Sequence, residues 1–248
     1  MSSEDNIANL LRKLRKRHLA NDFKLINYPK NSEIVIGKEI TRSNKFMDSY
    51  TSKLQEFVLK TWLPVWHGTK FECLEPILEH GLLPSGTARI TPQEGRIPMN
   101  KKFEGIENWA AAIFVSPSLL YSADRVYAER IFSEGRTKWC CLMKAYCKPG
   151  SFSKHNSTVI NRSSPELENE PNEVEFRVTS DEADKPAKAE YIRRLAASPE
   201  EQEHKVIFRE EFKRNVFVHS IVFIKEEFLE NLKNKRGIKY EDLKSWFL

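Results

Sequence analysis

The longest apolar stretches of this chain, around Ala110–Val115 and Val216–Ile224, have the length of β-strands. They fall far short of the roughly 20 residues a helix needs to span a bilayer. A chain built from such runs must bury them against one another in sheets. Ala110–Val115 is continuous and reads as a buried strand. Leu63–His67, Trp139–Tyr146, Val206–Phe208 and Val216–Ile224 read as further strands, and Val174-Glu175-Phe176-Arg177-Val178 alternates as a strand does. Between them the spacing predicts helices over 4–19, Phe46–Trp62, Lys70–His80 (which Gly81 can end), Leu119–Phe132, a short one at Glu190–Ala197, and a terminal helical cap from Glu226 to Leu248. Strands interrupted by short helices, without regular βαβ alternation, argue for an α+β architecture with antiparallel sheets.

The chain has 248 residues, of which 40% are hydrophobic and 30% charged, enough for one catalytic-sized domain with extensions. Residues 1–45 read as a basic helix followed by short extended pieces or a linker, with the domain proper over 46–248. The first helix sets Ile7, Leu10, Leu11 and Leu14 against Arg12, Lys13, Arg15, Lys16 and Arg17. Its basic face suits an acidic partner, nucleic acid or anionic lipid, or is simply solvated. The start, Met-Ser-Ser-Glu-Asp, is not the basic-then-apolar pattern of a secretory signal. An intracellular location, cytoplasm or nucleus, is therefore expected. Cys73, Cys140, Cys141 and Cys147 have no CxxC spacing and read as reduced, buried thiols. The net charge of +5 permits nucleic-acid binding without implying it.

The chemistry concentrates at Trp66-His67-Gly68-Thr69, where a strand ends and a helix begins. A ring nitrogen, a backbone free of Cβ and a hydroxyl then meet at one spot, which suits gripping an amide and a ribose. A second concentration is Tyr121-Ser122 with Tyr127, and a third the paired carboxylates Glu173 and Glu175, which share a strand face. The loop Pro84–Gly105 is long enough to have a function of its own.

These segments together resemble the poly(ADP-ribose) polymerase (PARP) catalytic domain. Val65-Trp66-His67-Gly68-Thr69, followed by Leu74 to Leu82, is similar to the family's strand, His-Gly-Ser/Thr, helix and Gly-Leu. Ala112-Ile113-Phe114-Val115-Ser116 with the segment Tyr121–Ala128 is similar to its Gly-Ile-Tyr-Phe-Ala and tyrosine-bearing helix, with Phe114 where the family has tyrosine. Glu175-Phe176-Arg177-Val178 is similar to its Glu-Tyr-Ile-Val strand. The similarity covers about Trp62 to Ile224, strongly to Ala128 and weakly beyond.

The resemblance implies the ADP-ribosyltransferase fold, two packed and mostly antiparallel sheets with an NAD cleft between them. NAD would be a co-substrate and no metal would be required. His67 would bond the adenine-side ribose, Gly68 and Ser122 the nicotinamide amide, and Thr69 would assist at the ribose. Tyr127 would stack on nicotinamide, with Tyr121 as its rival. Glu175 would be the catalytic carboxylate, with Glu203 as its rival, and Pro84–Gly105 would cover the dinucleotide. The acceptor of ADP-ribose would be protein or nucleic acid. A non-catalytic NAD or ADP-ribose binding module and an RNA 2′-phosphotransferase-like enzyme are the competing readings.

Overall fold

A computed structural model describes residues 6–17, 23–28, 37–42, 56–84, 102–107, 109–133, 137–158, 174–179 and 215–234. The strands are β1 (Phe23–Tyr28), β2 (Gly37–Arg42), β3 (Leu63–Gly68), β4 (Ile113–Val115), β5 (Arg130–Ser133), β6 (Thr137–Cys147), β7 (Phe152–His155), β8 (Glu175–Val178) and β9 (Val216–Lys225). The helices are α1 (Asn6–Arg17), α2 (residues 56–61), α3 (Leu74–His80), α4 (Leu119–Ser122) and α5 (Glu226–Asn234).

Strands β6 and β9 carry apolar residues at successive positions, a pattern that is stable only where both faces are covered. They lie side by side inside a six-stranded sheet of order β1-β2-β9-β6-β3, with β5 also paired to β6. A second sheet has the order β4-β8-β7. All the strand pairings are antiparallel. The architecture is thus α+β with two antiparallel sheets. Among the described residues no helix is long and apolar enough to cross a membrane.

Alternation along β6 divides the core. Trp139, Cys141 and Met143 meet Ile7, Leu10 and Leu11 of α1 and Leu74 of α3. Further along the same face, Ala145 and Cys147 join Val65 and Val216 against Val115, Phe152, Phe176 and Val178 of the small sheet. On the opposite face Cys140 and Leu142 join Trp66, Val222 and Ile224 under Leu119, Ala123 and Leu229. The two sheets touch where Trp66 and Ser116 exchange backbone hydrogen bonds of 2.7 and 2.9 Å. That joint is the floor of the site described below.

Several expectations are corrected by this arrangement. Within residues 1–45, expected as a basic helix followed by short extended pieces or a linker, the extended pieces are β1 and β2, a hairpin whose second strand pairs with β9. In the same segment α1 buries Ile7, Leu10 and Leu11, each fully buried side chain of this size contributing about 1.5–3 kcal/mol. The segment belongs to the main sheet and its core. The helix expected over Leu119–Phe132 is only the single turn Leu119–Ser122, and the chain re-enters the sheet as β5. Ser118 starts the turn by accepting the Tyr121 N–H at 3.0 Å. Asp124 then diverts the chain, its side chain accepting the Val126 N–H at 2.8 Å and its carbonyl the N–H groups of Tyr127 and Ala128. The strand expected over Ala110–Val115 is confined to Ile113–Val115.

Other elements agree with the sequence more closely. The helix after Thr69 begins as a 3-10 turn at Phe71–Cys73 and continues as α3. Gly81 ends it in a conformation with φ of 80° that favours glycine, its N–H bonded to the Ile77 carbonyl at 2.8 Å. The helix expected over Phe46–Trp62 is seen at 56–61, with Trp62 already a bend, and the terminal cap at Glu226–Asn234; residues 46–55 and 235–248 lie outside the described ones. So do the expected helix Glu190–Ala197, the strand Val206–Phe208, and all but the ends of the loop Pro84–Gly105.

Candidate functional site

An open cleft of about 300 Å³, the solvent at its mouth included, lies at the joint between the sheets. Strand β3 contributes Trp66, His67 and Gly68, β4 and the residue after it Phe114, Val115 and Ser116, and β8 Glu175. The α4 turn and the bend after it add Tyr121, Ser122 and Tyr127. Of the residues that the resemblance places at the site, Thr69 alone is missing from this lining. Thr69 is buried beside the cleft, and its carbonyl accepts the Glu129 N–H at 3.0 Å. Glu173 and Glu203 lie outside the described residues.

His67 sits at the end of β3 with Nδ1 at 2.8 Å from the Phe114 carbonyl oxygen. A carbonyl only accepts, so Nδ1 carries the proton. Burial lowers the pKa of the ring below the usual histidine value, against the opposing pull of the Phe114 carbonyl. The imidazole is therefore neutral near pH 7, and Nε2 holds a lone pair. One cleft residue is thus a fixed hydrogen-bond acceptor.

Gly68 owes its identity to packing. A Cβ there would lie 2.2 Å from the carbonyl oxygen of Ser122 and 2.8 Å from the Tyr127 Cβ. Only glycine lets β3 run against the α4 turn this closely. Ser122 closes the contact from the other side, its hydroxyl donating to the Trp66 carbonyl at 3.1 Å. That hydroxyl keeps its accepting capacity.

Glu175 is 3% exposed at the start of β8. Its Oε2 accepts from the hydroxyls of Tyr121 at 2.8 Å, Thr158 at 2.9 Å and Tyr127 at 3.4 Å. Its Oε1 is buried with no hydrogen-bond partner among the described residues. Burial raises the carboxyl pKa above its ordinary value, opposed by the hydrogen bonds from Tyr121, Thr158 and Tyr127 and by nearby His155. The hydroxyls also bond one another, Tyr121 to Tyr127 at 2.8 Å and Tyr127 to Thr158 at 2.9 Å. Both tyrosine pKa values are raised, first by burial, so the phenols remain protonated donors.

Tyr121 and Tyr127 therefore share the site. Their rings are 5.2 Å apart and tilted by 48°, and neither hydroxyl is free of the carboxylate. Thr158 is the residue that sequence reasoning missed. It follows β7 in a polar run with no motif around it, and only the antiparallel return of the small sheet brings it to Glu175. Opposite Glu175 across the strand pair, His155 bonds Glu104 at 2.8 Å through Nδ1 and Ser153 at 2.7 Å through Nε2. This chain ties residues 102–107 to the small sheet.

Among the described residues no group of three or more His, Cys, Asp or Glu side chains is placed to hold a metal ion. The arrangement can offer a ligand apolar ring surface, a hydroxyl at Ser122, and acceptors on neutral His67 and on Glu175. No protein-family model and no curated protein matches this chain.

Proposed function

We propose that the cleft takes the nicotinamide–ribose end of NAD and that the protein is an ADP-ribosyltransferase, transferring ADP-ribose to a protein or nucleic-acid acceptor. The observation that carries this reading is the convergence of His67, Gly68, Phe114, Ser122, Tyr127 and Glu175, from separate segments of the chain, on one cleft. These are the residues that the PARP resemblance implies at NAD, and the two antiparallel sheets would then be the ADP-ribosyltransferase fold. The chemistry of the lining fits. The lone pair of His67 Nε2 and Glu175 Oε1, which has no donor among the described residues, are acceptors, and a ribose brings hydroxyl donors.

On this reading Gly68 and Ser122 would hold the carboxamide of nicotinamide, and Tyr127 would lie against its ring. The pyridinium of NAD is a good leaving group because departure neutralises it, and positive charge then develops on the ribose. Glu175 would accept from a ribose hydroxyl and stabilise that charge, an interaction stronger in the transition state than before it. Arg12 and Lys13, exposed on α1 with Ile7, Leu10 and Leu11 buried beneath, support docking of an acidic partner or nucleic acid there.

Labelled NAD tests the reading. The protein should release nicotinamide and pass label to a macromolecule in EDTA as well as without it. Glu175→Gln should keep binding of a nicotinamide analogue while turnover falls about 10²–10³-fold. A wild-type protein that neither binds the analogue nor releases nicotinamide would refute it.

A further inference from the structure

The lopsided hydrogen bonding of Glu175 bears on Thr158, to which the family resemblance assigns no role, and on Tyr121, which it offers only as a rival for stacking. All three donors fall on Oε2, and Oε1 has none among the described residues. A buried carboxylate oxygen without a donor is costly, and such groups persist where a ligand or mechanism uses them. The three donors are also unequal. Tyr121 and Thr158 bond at 2.8 and 2.9 Å, whereas Tyr127 is at 3.4 Å and has better partners in the Tyr121 and Thr158 hydroxyls. The Thr158 N–H also donates to the Tyr121 hydroxyl at 3.3 Å, so the two close donors brace each other.

We propose that Tyr121 and Thr158 are positioning residues that anchor Glu175 through Oε2, keeping Oε1 for the substrate hydroxyl, while Tyr127, the most distant of the three from Oε2, yields to admit the substrate. The proposal rests on the ADP-ribosyltransferase reading above. Oε1 is closed to water, so a substrate hydroxyl reaches it only when a neighbouring side chain moves. Tyr127 is the neighbour whose displacement leaves both short bonds to Oε2 intact. An anchored carboxylate then meets the hydroxyl without reorganising, which is where electrostatic catalysis gains most.

The sign of the effect follows from chemistry. The hydrogen bonds favour the ionised form, so losing one raises the Glu175 pKa further above the ordinary carboxylate value. The titratable groups acting on Glu175 are Tyr121 from α4, Tyr127 from the bend after it and His155 from β7. The two phenols stay protonated, and His155 is untouched by the substitutions.

The test uses the full chain, with NAD as substrate and nicotinamide release as readout. Thr158→Val and Tyr121→Phe should each move the acidic limb of the kcat–pH profile upward by about one to two pH units, the equivalent of one hydrogen bond to a charged group. KM for NAD should stay within about twofold. Thr158→Ser should restore the profile, and Tyr127→Phe, which keeps the ring and loses only the longest bond to Oε2, should move it least. An unmoved limb in both Thr158→Val and Tyr121→Phe, or a change in KM alone, overturns the proposal. If the wild-type protein releases no nicotinamide, the enzyme reading fails, and the anchor is judged by the infrared carboxyl band assigned with Glu175→Gln. That band should titrate at higher pH in Thr158→Val than in the wild type. Identical titrations overturn the anchor as well.

Discussion

Replacing Gly68 with alanine adds one methyl group at the tightest contact of the site. The new Cβ would stand 2.2 Å from the Ser122 carbonyl oxygen, 2.8 Å from the Tyr127 Cβ and 3.1 Å from the Ala128 nitrogen. Ordinary contacts lie at about 3.5 Å or beyond, so something must retreat by roughly an ångström or more. The nearest obstacle is backbone at the end of α4, fixed by the Ser122 hydroxyl on Trp66 and by the Ala123 N–H on the Leu119 carbonyl. Overpacking of this kind costs about 1–3 kcal/mol, and a backbone obstacle puts the cost at the upper end. For a chain of this size about 3 kcal/mol corresponds to a fall in Tm of roughly 6–12 °C. Thermal unfolding followed by circular dichroism measures it directly. A fall of less than about 2 °C would mean that the α4 turn gives way cheaply, and the claim that packing dictates glycine here would be wrong.

Two further outcomes follow from buried charge. Glu226, with its side chain 9% exposed, receives Arg125 at 2.6 Å, Arg130 at 3.3 Å and Lys138 at 3.8 Å. Glu226→Ala leaves the part-buried Arg130 with its carbonyl partners but no counter-charge and should cost about 3 kcal/mol in urea unfolding, whereas Arg125→Ala, at an exposed partner, should cost less than about 1 kcal/mol; equal losses would refute this ranking. Glu175, whose folded pKa is raised, binds protons more tightly folded than unfolded, so its contribution is fullest below the unfolded carboxyl pKa and is lost as pH rises through the folded one. Glu175→Gln should therefore melt higher than the wild type at neutral pH, with the difference closing as pH falls toward about 4; a variant that melts lower at neutral pH contradicts the sign.

Sequence pattern exposed the strands best where burial on two faces left an unbroken apolar run, as at Trp139–Tyr146 and Val216–Ile224. It misjudged Leu119–Phe132, where apolar and aromatic spacing imitates a helix and one side-chain turn at Asp124 breaks it. That error mattered little for the site. The fold still carries Ser122 and Tyr127 to Gly68, because Gly68 has no Cβ to keep them away. Glu175 was legible as one of two carboxylates on a strand face and through its likeness to the Glu-Tyr-Ile-Val strand, while its burial was not. Nor were its hydrogen-bond partners. Thr158 follows β7 without a motif around it, and Tyr121 looked like a rival to Tyr127 when the two converge on the same oxygen. The small extended pieces before residue 46 were equally opaque, since their pairing depends on a strand in the last part of the chain.

That pairing constrains how the molecule is made. Strand β9 fills the slot between β2 and β6, with Ile40 opposite Ile221 on one edge and Met143 opposite Ile221 on the other. A ribosome therefore delivers both neighbours long before the strand that joins them. Until then β1 and β2 are an isolated hairpin, marginal in water, and β6 presents an unpaired apolar edge. Ordering a sheet around its last-synthesised member requires closing very long loops, and chains of that kind fold slowly and aggregate readily while incomplete. Yield of the protein in cells should accordingly depend on the chaperones that shelter nascent β-edges.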